Sequence, residues 1–200
     1  MTLMHRYIIF FGWIFKAVFR IRPKGWEGIP DGGALICSNH TSLLDPVFVI
    51  LGMRKKAYSP TKLMAKIELS RVPVLSFLIS SFLIYVDRGK SDIGAIKSSI
   101  SCLKEGDKLI LFPEGRRVSE EEQSQAKTGA ALIALKSGVP IVPVYVTKGK
   151  KPMFSFKRVD VVFGEPYYAD KAEGLSTSEA YRKIADDLME RIGRLAEQAG

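Results

Sequence analysis

The chain has 200 residues, enough for one domain with a substantial core and short of two. Its 46% hydrophobic content excludes both a disordered chain and a polytopic membrane protein. Thirty basic against 21 acidic residues give a formal charge of +9, which points to polyanionic partners: nucleic acid, anionic lipid or a phosphorylated substrate.

The N-terminus concentrates that charge around an apolar run, "MTLMHRYIIFFGWIFKAVFRIRPKGW". Read as a helix, Tyr7–Phe19 reaches about 20 Å, short of a ~30 Å hydrocarbon core. Three readings compete: an interfacial helix, a helix packed on the domain's own core, and a true span or signal segment. The first fits best, with Phe10, Phe11, Trp13, Ile14 and Phe15 inserted shallowly and the flanking arginines and lysines on anionic headgroups. Residues 1–24 are therefore expected to form a membrane-interfacial segment, and 25–200 a single α/β domain.

A Pro/Gly-rich connector, "RPKGWEGIPDGG", follows. Strand-length apolar runs then alternate with helix-length periodic stretches. Strands are predicted over Ala34–Cys37, Lys62–Ala65, Leu83–Val86, Lys108–Phe112, Ile141–Val146 and Val159–Phe163. Helices are predicted near Leu44–Met53, Leu69–Ser80, Ile93–Lys104, Ala126–Ser137 and Ser178–Gln198. This alternation predicts a mostly parallel sheet flanked by helices.

In open sheets of this kind ligands bind outside the carboxyl ends of the strands. Three predicted strands run there into unusual polar residues: Asn39-His40, Asp87-Arg88, and Pro113-Glu114-Gly115-Arg116-Arg117. "SNHTSLLDP" is the most suggestive segment. Ser42-Leu43-Leu44-Asp45 matches a capping box, so a helix should start at Ser42 with Asp45 in its first turn. Asp45 then reaches back to His40, fixes one tautomer and leaves the other ring nitrogen as a base. The simpler alternative is that Asp45 only caps its helix. No G-x-S-x-G supplies a nucleophilic serine, so His40 would most simply deprotonate a substrate hydroxyl, which then attacks an activated carbonyl. Gly89-Lys90-Ser91 is only a fragment of a phosphate loop, because position 84 is isoleucine where the motif needs glycine. Arg88 suits bidentate phosphate recognition, Glu114 sits beside two arginines in a turn that Gly115 permits, and Lys127 extends the same rim.

His5 and His40 are the only histidines and lie in unrelated segments, which disfavours a zinc hydrolase; no metal site is expected. Neither helix-turn-helix spacing nor a stacked-aromatic RNA motif is evident, so nucleic acid is not the expected partner. Cys37 and Cys102 form no disulfide framework.

Four blocks in order over roughly residues 35–146 resemble the glycerolipid acyltransferase family that includes the 1-acylglycerol-3-phosphate acyltransferases. They are Asn39-His40 through Asp45; Glu68 and Pro73 to Val86-Asp87-Arg88; Phe112-Pro113-Glu114-Gly115 with Arg117; and Val139-Pro140-Ile141-Val142-Pro143-Val144. The resemblance implies that His40 is the general base and Asp45 its partner. Arg88, Glu114 and Arg117 would position the glycerol phosphate acceptor; Gly115, Arg116 and Lys127 are added to that acceptor site from the reading of the rim above, with Asn39, Pro113 and Pro143 in supporting places. It implies no bound cofactor, only an acyl thioester on coenzyme A or acyl carrier protein as co-substrate. The third block departs from the family pattern: Arg116 and Val118 stand where hydroxyl residues are usual, which leaves glycerol 3-phosphate, a lyso-aminolipid or another lysophospholipid as alternative acceptors. A non-catalytic protein that binds anionic lipid is the alternative of a different class. Because both substrates carry acyl chains, an anionic membrane is the expected partner and its cytoplasmic face the expected location. "KGKKPMFSFKR" would make a second contact through Phe154 and Phe156.

Overall fold

The computed structural model describes residues 12, 19–54, 56, 60–66, 83–86, 92–118, 125–147, 158–171 and 173–199. Seven strands make one sheet: β1 (Arg20–Lys24), β2 (Ala34–Ser38), β3 (Thr61–Lys66), β4 (Leu83–Val86), β5 (Lys108–Leu111), β6 (Ile141–Val146) and β7 (Arg158–Phe163). Four described helices accompany it: α1 (Asp45–Gly52), α2 (Ile93–Lys104), α3 (Gly129–Ser137) and α4 (Thr177–Leu195). The strand order is β1-β7-β6-β2-β5-β3-β4.

β2 lies at the centre, paired in parallel with both β5 and β6. That position explains its unbroken run Ala34-Leu35-Ile36-Cys37, since a strand covered on both faces has no use for polar alternation. Successive residues feed two cores. Ile36, Ile110, Val142, Val144, Val161 and Phe163 pack with Phe48 and Val49 of α1 on one face. Leu35, Cys37, Leu109 and Leu111 pack with Ile133 of α3 and Ile184, Leu188 and Ile192 of α4 on the other. The spacing of Ala180, Ile184, Leu188, Ile192 and Leu195 is the apolar stripe of an amphipathic helix.

Helix starts follow local chemistry. Asp92 caps α2 by accepting the Ala95 amide at 2.9 Å. Ser176 and Glu179 form a reciprocal capping box at the start of α4. Two predicted starts need correction. Ala126–Thr128 are not helical, because the Lys127 amide is committed to the Pro113 carbonyl at 2.8 Å, and α3 begins at Gly129. The helix expected from Ser42 begins at Asp45, for a reason that belongs to the site below.

The largest departure is at the N-terminal boundary. Arg20–Lys24, expected inside the interfacial segment, form β1 and pair in parallel with β7, so the sheet takes in the last residues of the 1–24 segment. The alternation of Arg20, Arg22 and Lys24 with Ile21 and Pro23 is a strand pattern that the density of basic charge obscured. Phe19, the last residue of the longer apolar reading, stacks edge-to-face on Phe48 with ring centroids 5.2 Å apart. Gly12 is buried, and a Cβ there would lie 2.9 Å from Leu51 Cδ2. Phe10, Phe11, Trp13, Ile14 and Phe15 lie outside the described residues, as do Phe154, Phe156 and the helix predicted at Leu69–Ser80. Among the described residues no helix is long and apolar enough to cross a membrane.

Lys108 opens β5 with its side chain wholly buried, and its ammonium donates to the Asp31 carbonyl at 3.1 Å. Desolvation, then repulsion from Lys56, holds its pKa below the ordinary lysine value, against the opposing pull of Asp31 and Asp107. The unfolded chain therefore binds more protons between the folded value and 10.5, and stability rises with pH through that window. Below the folded value the full penalty applies. Lys108→Met is expected to stabilise the protein at neutral pH, with the difference in denaturant midpoint shrinking as pH approaches the ordinary lysine range.

Candidate active site

Because β2, β3, β4, β5 and β6 run the same way, their carboxyl ends share one edge of the sheet. β2 delivers Asn39 and His40 to that edge. Asn39 is buried, and its side chain mimics a strand residue: Nδ2 donates to the Val146 carbonyl at 3.1 Å, and the Val146 amide donates to Oδ1 at 2.8 Å. This two-point bond fixes where β2 ends. Asn39→Ala leaves both buried backbone groups of Val146 unpaired, at about 1–3 kcal/mol each. Chemical denaturation should therefore show a large loss of stability, and activity should fall with the loosening of His40.

His40 itself is held from four directions. Its Nδ1 lies 3.1 Å from Asp45 Oδ2. Its amide donates to Glu114 Oε2 at 2.8 Å, and its carbonyl accepts the Val118 amide at 2.9 Å. Its ring stacks on Phe112, centroids 4.1 Å apart at 24°. The same Asp45 oxygen also accepts the amides of Thr41 at 2.6 Å and Ser42 at 2.7 Å. These bonds explain the later start of α1. The carboxylate gathers the preceding turn around itself, and only half of the expected capping box forms: Ser42 Oγ accepts from Leu44 rather than from Asp45. Pro46 follows in the first turn, where its missing N–H has no intrahelical partner to lose.

A carboxylate that already accepts two N–H groups is the acceptor for a third, so Nδ1 carries the ring proton and Nε2 presents a lone pair. The His40 side chain is 13% exposed and that of Asp45 2%, so the pair is shielded while the imidazole keeps an opening. An imidazole held this way can accept a proton at Nε2.

Beside it, Pro113-Glu114-Gly115 forms a tight turn closed by the Gly115 amide on the Phe112 carbonyl at 3.0 Å. Gly115 has φ +69°, the left-handed region that favours glycine; a Cβ there would also press on Lys127 Cδ at 2.9 Å, a contact the flexible lysine side chain can relieve. Phe112, Pro113, Gly115 and Lys127 then line a cavity of about 300 Å³ with Met64, Val86, Ile96 and Ile133. Its walls are mainly apolar, with Asp92, Lys127 and Thr128 as polar groups. Phe112 thus joins the imidazole to this cavity.

The structure brings His40 together with Asp45 and Glu114, with Asn39 anchoring the same strand end, and sets Pro113, Gly115 and Lys127 along the neighbouring cavity. Arg116 and Arg117 follow the same turn and are exposed. Pro143 sits within β6 opposite Cys37, away from the cavity lining, and its carbonyl accepts the Gly164 amide. Arg88 lies outside the described residues, two positions after Val86 at the end of β4. Glu114 also positions the His40 backbone, which the resemblance did not imply. Phe112, the Thr41 and Ser42 amides and the Val118 lock were not anticipated as parts of the site. An aromatic residue at the carboxyl end of a buried strand was the one available signal.

Neither cysteine offers a nucleophile. Burial raises the Cys37 thiol far above its ordinary range. Burial, then Asp107, pushes Cys102 up to about 11, with Glu105 adding to the rise and Lys62 opposing it. Among the described residues no group of His, Cys, Asp and Glu is placed to hold a metal ion.

The chain is 31% identical over 173 residues to the 1-acyl-sn-glycerol-3-phosphate acyltransferase of Bacillus subtilis, covering 84% of each. It is 28% identical over 182 residues to the chloroplastic 1-acyl-sn-glycerol-3-phosphate acyltransferase LPAT1 of Arabidopsis thaliana, covering 85% of this chain and 49% of that one. The chain spans about half the length of several curated relatives that it matches. The crystal structure of the 1-acyl-sn-glycerophosphate (LPA) acyltransferase PlsC from Thermotoga maritima superposes with a TM-score of 0.66 at 27% identity, covering 89% of this chain and 71% of that one. The acyltransferase family model matches residues 20–147, a stretch that begins with β1 and includes the whole His40–Asp45 arrangement. With more than half of its length in that match, the chain belongs to the acyltransferase family.

Proposed function

We propose that the protein transfers a fatty acyl group from an acyl thioester to the free hydroxyl of 1-acylglycerol 3-phosphate, giving phosphatidic acid for phospholipid synthesis. The observation that carries this reading is the His40–Asp45 pair, with Nδ1 held by the carboxylate and Nε2 left as the basic nitrogen. The acceptor hydroxyl gives its proton to Nε2 as its oxygen attacks the thioester carbonyl. The tetrahedral species then expels the thiolate, the C–S bond breaks, and the imidazolium returns the proton to sulfur. No protein nucleophile is needed, in keeping with the raised thiol pKa values. The apolar cavity beside Phe112 suits an acyl chain, and Lys127 on its wall suits a phosphate or carbonyl oxygen. The names of the relatives support the same acceptor class.

Purified protein offered a panel of lyso-acceptors and acyl donors in mixed micelles should form phosphatidic acid, read by mass spectrometry. No ester product with any acceptor would overturn the reading. The Gly115-Arg116-Arg117 departure favours a second reading within the same chemistry, in which another lysophospholipid or glycerol 3-phosphate is preferred. Ranking kcat/KM across the panel decides between them. Either coenzyme A or acyl carrier protein would carry the donor, and Arg88 and Arg117 would help hold the acceptor phosphate.

The protein would work at the cytoplasmic face of an anionic membrane, peripheral or monotopic. Replacing Phe154 and Phe156 with serine is expected to reduce liposome flotation; unchanged flotation would remove the 148–158 segment from the contact.

A further inference from the structure

The resemblance sets Glu114 among the residues that hold the acceptor, yet the contacts of its segment converge on His40. Phe112 stacks on the imidazole, the Glu114 carboxylate accepts the His40 amide at 2.8 Å, and the Val118 amide donates to the His40 carbonyl at 2.9 Å. The 112–118 stretch thus grips the ring and both backbone groups of one distant residue. That grip is itself braced. The Gly115 amide closes the turn on the Phe112 carbonyl at 3.0 Å, and the Lys127 amide donates to the Pro113 carbonyl at 2.8 Å.

Two features set Glu114 apart from an acceptor ligand. Its neighbours Pro113 and Gly115 line the cavity, whereas its own side chain is buried and turned onto the His40 peptide. Its charge also has the sign of the acceptor phosphate, so direct contact between them would be repulsive. A backbone N–H is the better partner for it: a hydrogen bond to an ionised oxygen is roughly twice as strong as one to a neutral acceptor.

We propose that Glu114 is a positioning residue for the base: it holds the His40 peptide so that Nδ1 stays on Asp45 and Nε2 faces the acceptor hydroxyl, and it makes no contact with the acceptor. The proposal rests on the reading of His40 as the general base of acyl transfer. Asp45 acts on the ring and Glu114 on the backbone that carries it, so the two carboxylates divide the orientation of one imidazole between them. The effect on rate is large because a displacement of about 1 Å in a reacting group costs on the order of 10²-fold.

The test joins kinetics to a spectrum. In full-length Glu114→Ala protein kcat should fall by about 10²-fold, with acceptor KM within about twofold of wild type. Glu114→Gln keeps an oxygen for the His40 amide and should recover kcat to within about tenfold of wild type. Nitrogen-15 spectra of histidine-labelled protein, recorded without substrates, read the imidazole directly. The chain has two histidines, and His40→Ala identifies which signals belong to His40. Wild type and Glu114→Gln should show distinct protonated and unprotonated ring nitrogens, and Glu114→Ala should move them toward a common average. Native kcat in a folded Glu114→Ala protein, or His40 signals that stay as in wild type, overturns the proposal. A raised acceptor KM with kcat retained also overturns it, by assigning Glu114 to the acceptor. If Glu114→Ala does not fold, Glu114→Gln decides: a native acceptor KM with the wild-type nitrogen pattern supports positioning, and a raised acceptor KM or an averaged pattern ends it. Because the spectra use no substrate, they stand or fall independently of whether acyl transfer to 1-acylglycerol 3-phosphate is observed.

Discussion

Replacing His40 with alanine is expected to lower kcat by about 10²–10⁴-fold, the range for loss of a positioned general base. Asn39, Glu114 and Val118 hold the backbone of this segment or its neighbours without using the imidazole, so the variant should keep its fold. Losing the ring stack on Phe112 should lower stability by only about 0.5–1.5 kcal/mol. Asp45 retains the amides of Thr41 and Ser42 as donors when the imidazole is gone. Steady-state rates should therefore drop with little change in acceptor KM, while thermal melting moves slightly. Wild-type turnover in a folded His40→Ala protein would end the proposed mechanism.

Changes at Asp45 should separate orientation from architecture. In Asp45→Asn the carboxamide oxygen can still accept the two amides, and the turn before α1 should survive. What is lost is the charge that steadies the imidazolium once Nε2 has taken the proton. A charge-assisted hydrogen bond is roughly twice as strong as a neutral one. The expected result is a fall in kcat of about 10²-fold or more with near-native melting. Asp45→Ala should instead damage both properties. Three donors converge on a single Asp45 oxygen, and removing it leaves buried N–H groups unpaired at about 1–3 kcal/mol each. If Asp45→Asn turned over at the native rate and Asp45→Ala differed only in stability, the aspartate would be a cap and nothing more. That outcome would restore the simpler reading of the motif.

The legibility of this protein varies by segment for physical reasons. Ile93–Lys104 was readable to the residue, since Asp92 supplies a cap and the helical period is uninterrupted. β2, β5 and β6 were readable because a strand buried on both faces is a short unbroken apolar run. β1 was not, because an edge strand with arginines on one side resembles a basic linker until its partner is known. The start of α1 was misplaced for a related reason. Ser-x-x-Asp is a capping box by pattern, but here the aspartate is drawn toward His40, Thr41 and Ser42 together.

The sequence by itself determined the α/β class, the order of most elements, the pairing of His40 with Asp45 and the resemblance that the family match upholds. The first three depend on periodicity or on neighbours within a few residues, and the resemblance on four blocks in a fixed order, all of which a linear text records. Tertiary structure alone decided that Phe112 lies beneath the imidazole, that Glu114 holds its backbone across 74 positions, and that Arg20 faces Arg158. Those contacts arise from strand order, and strand order is set by how two faces of a sheet are buried at once.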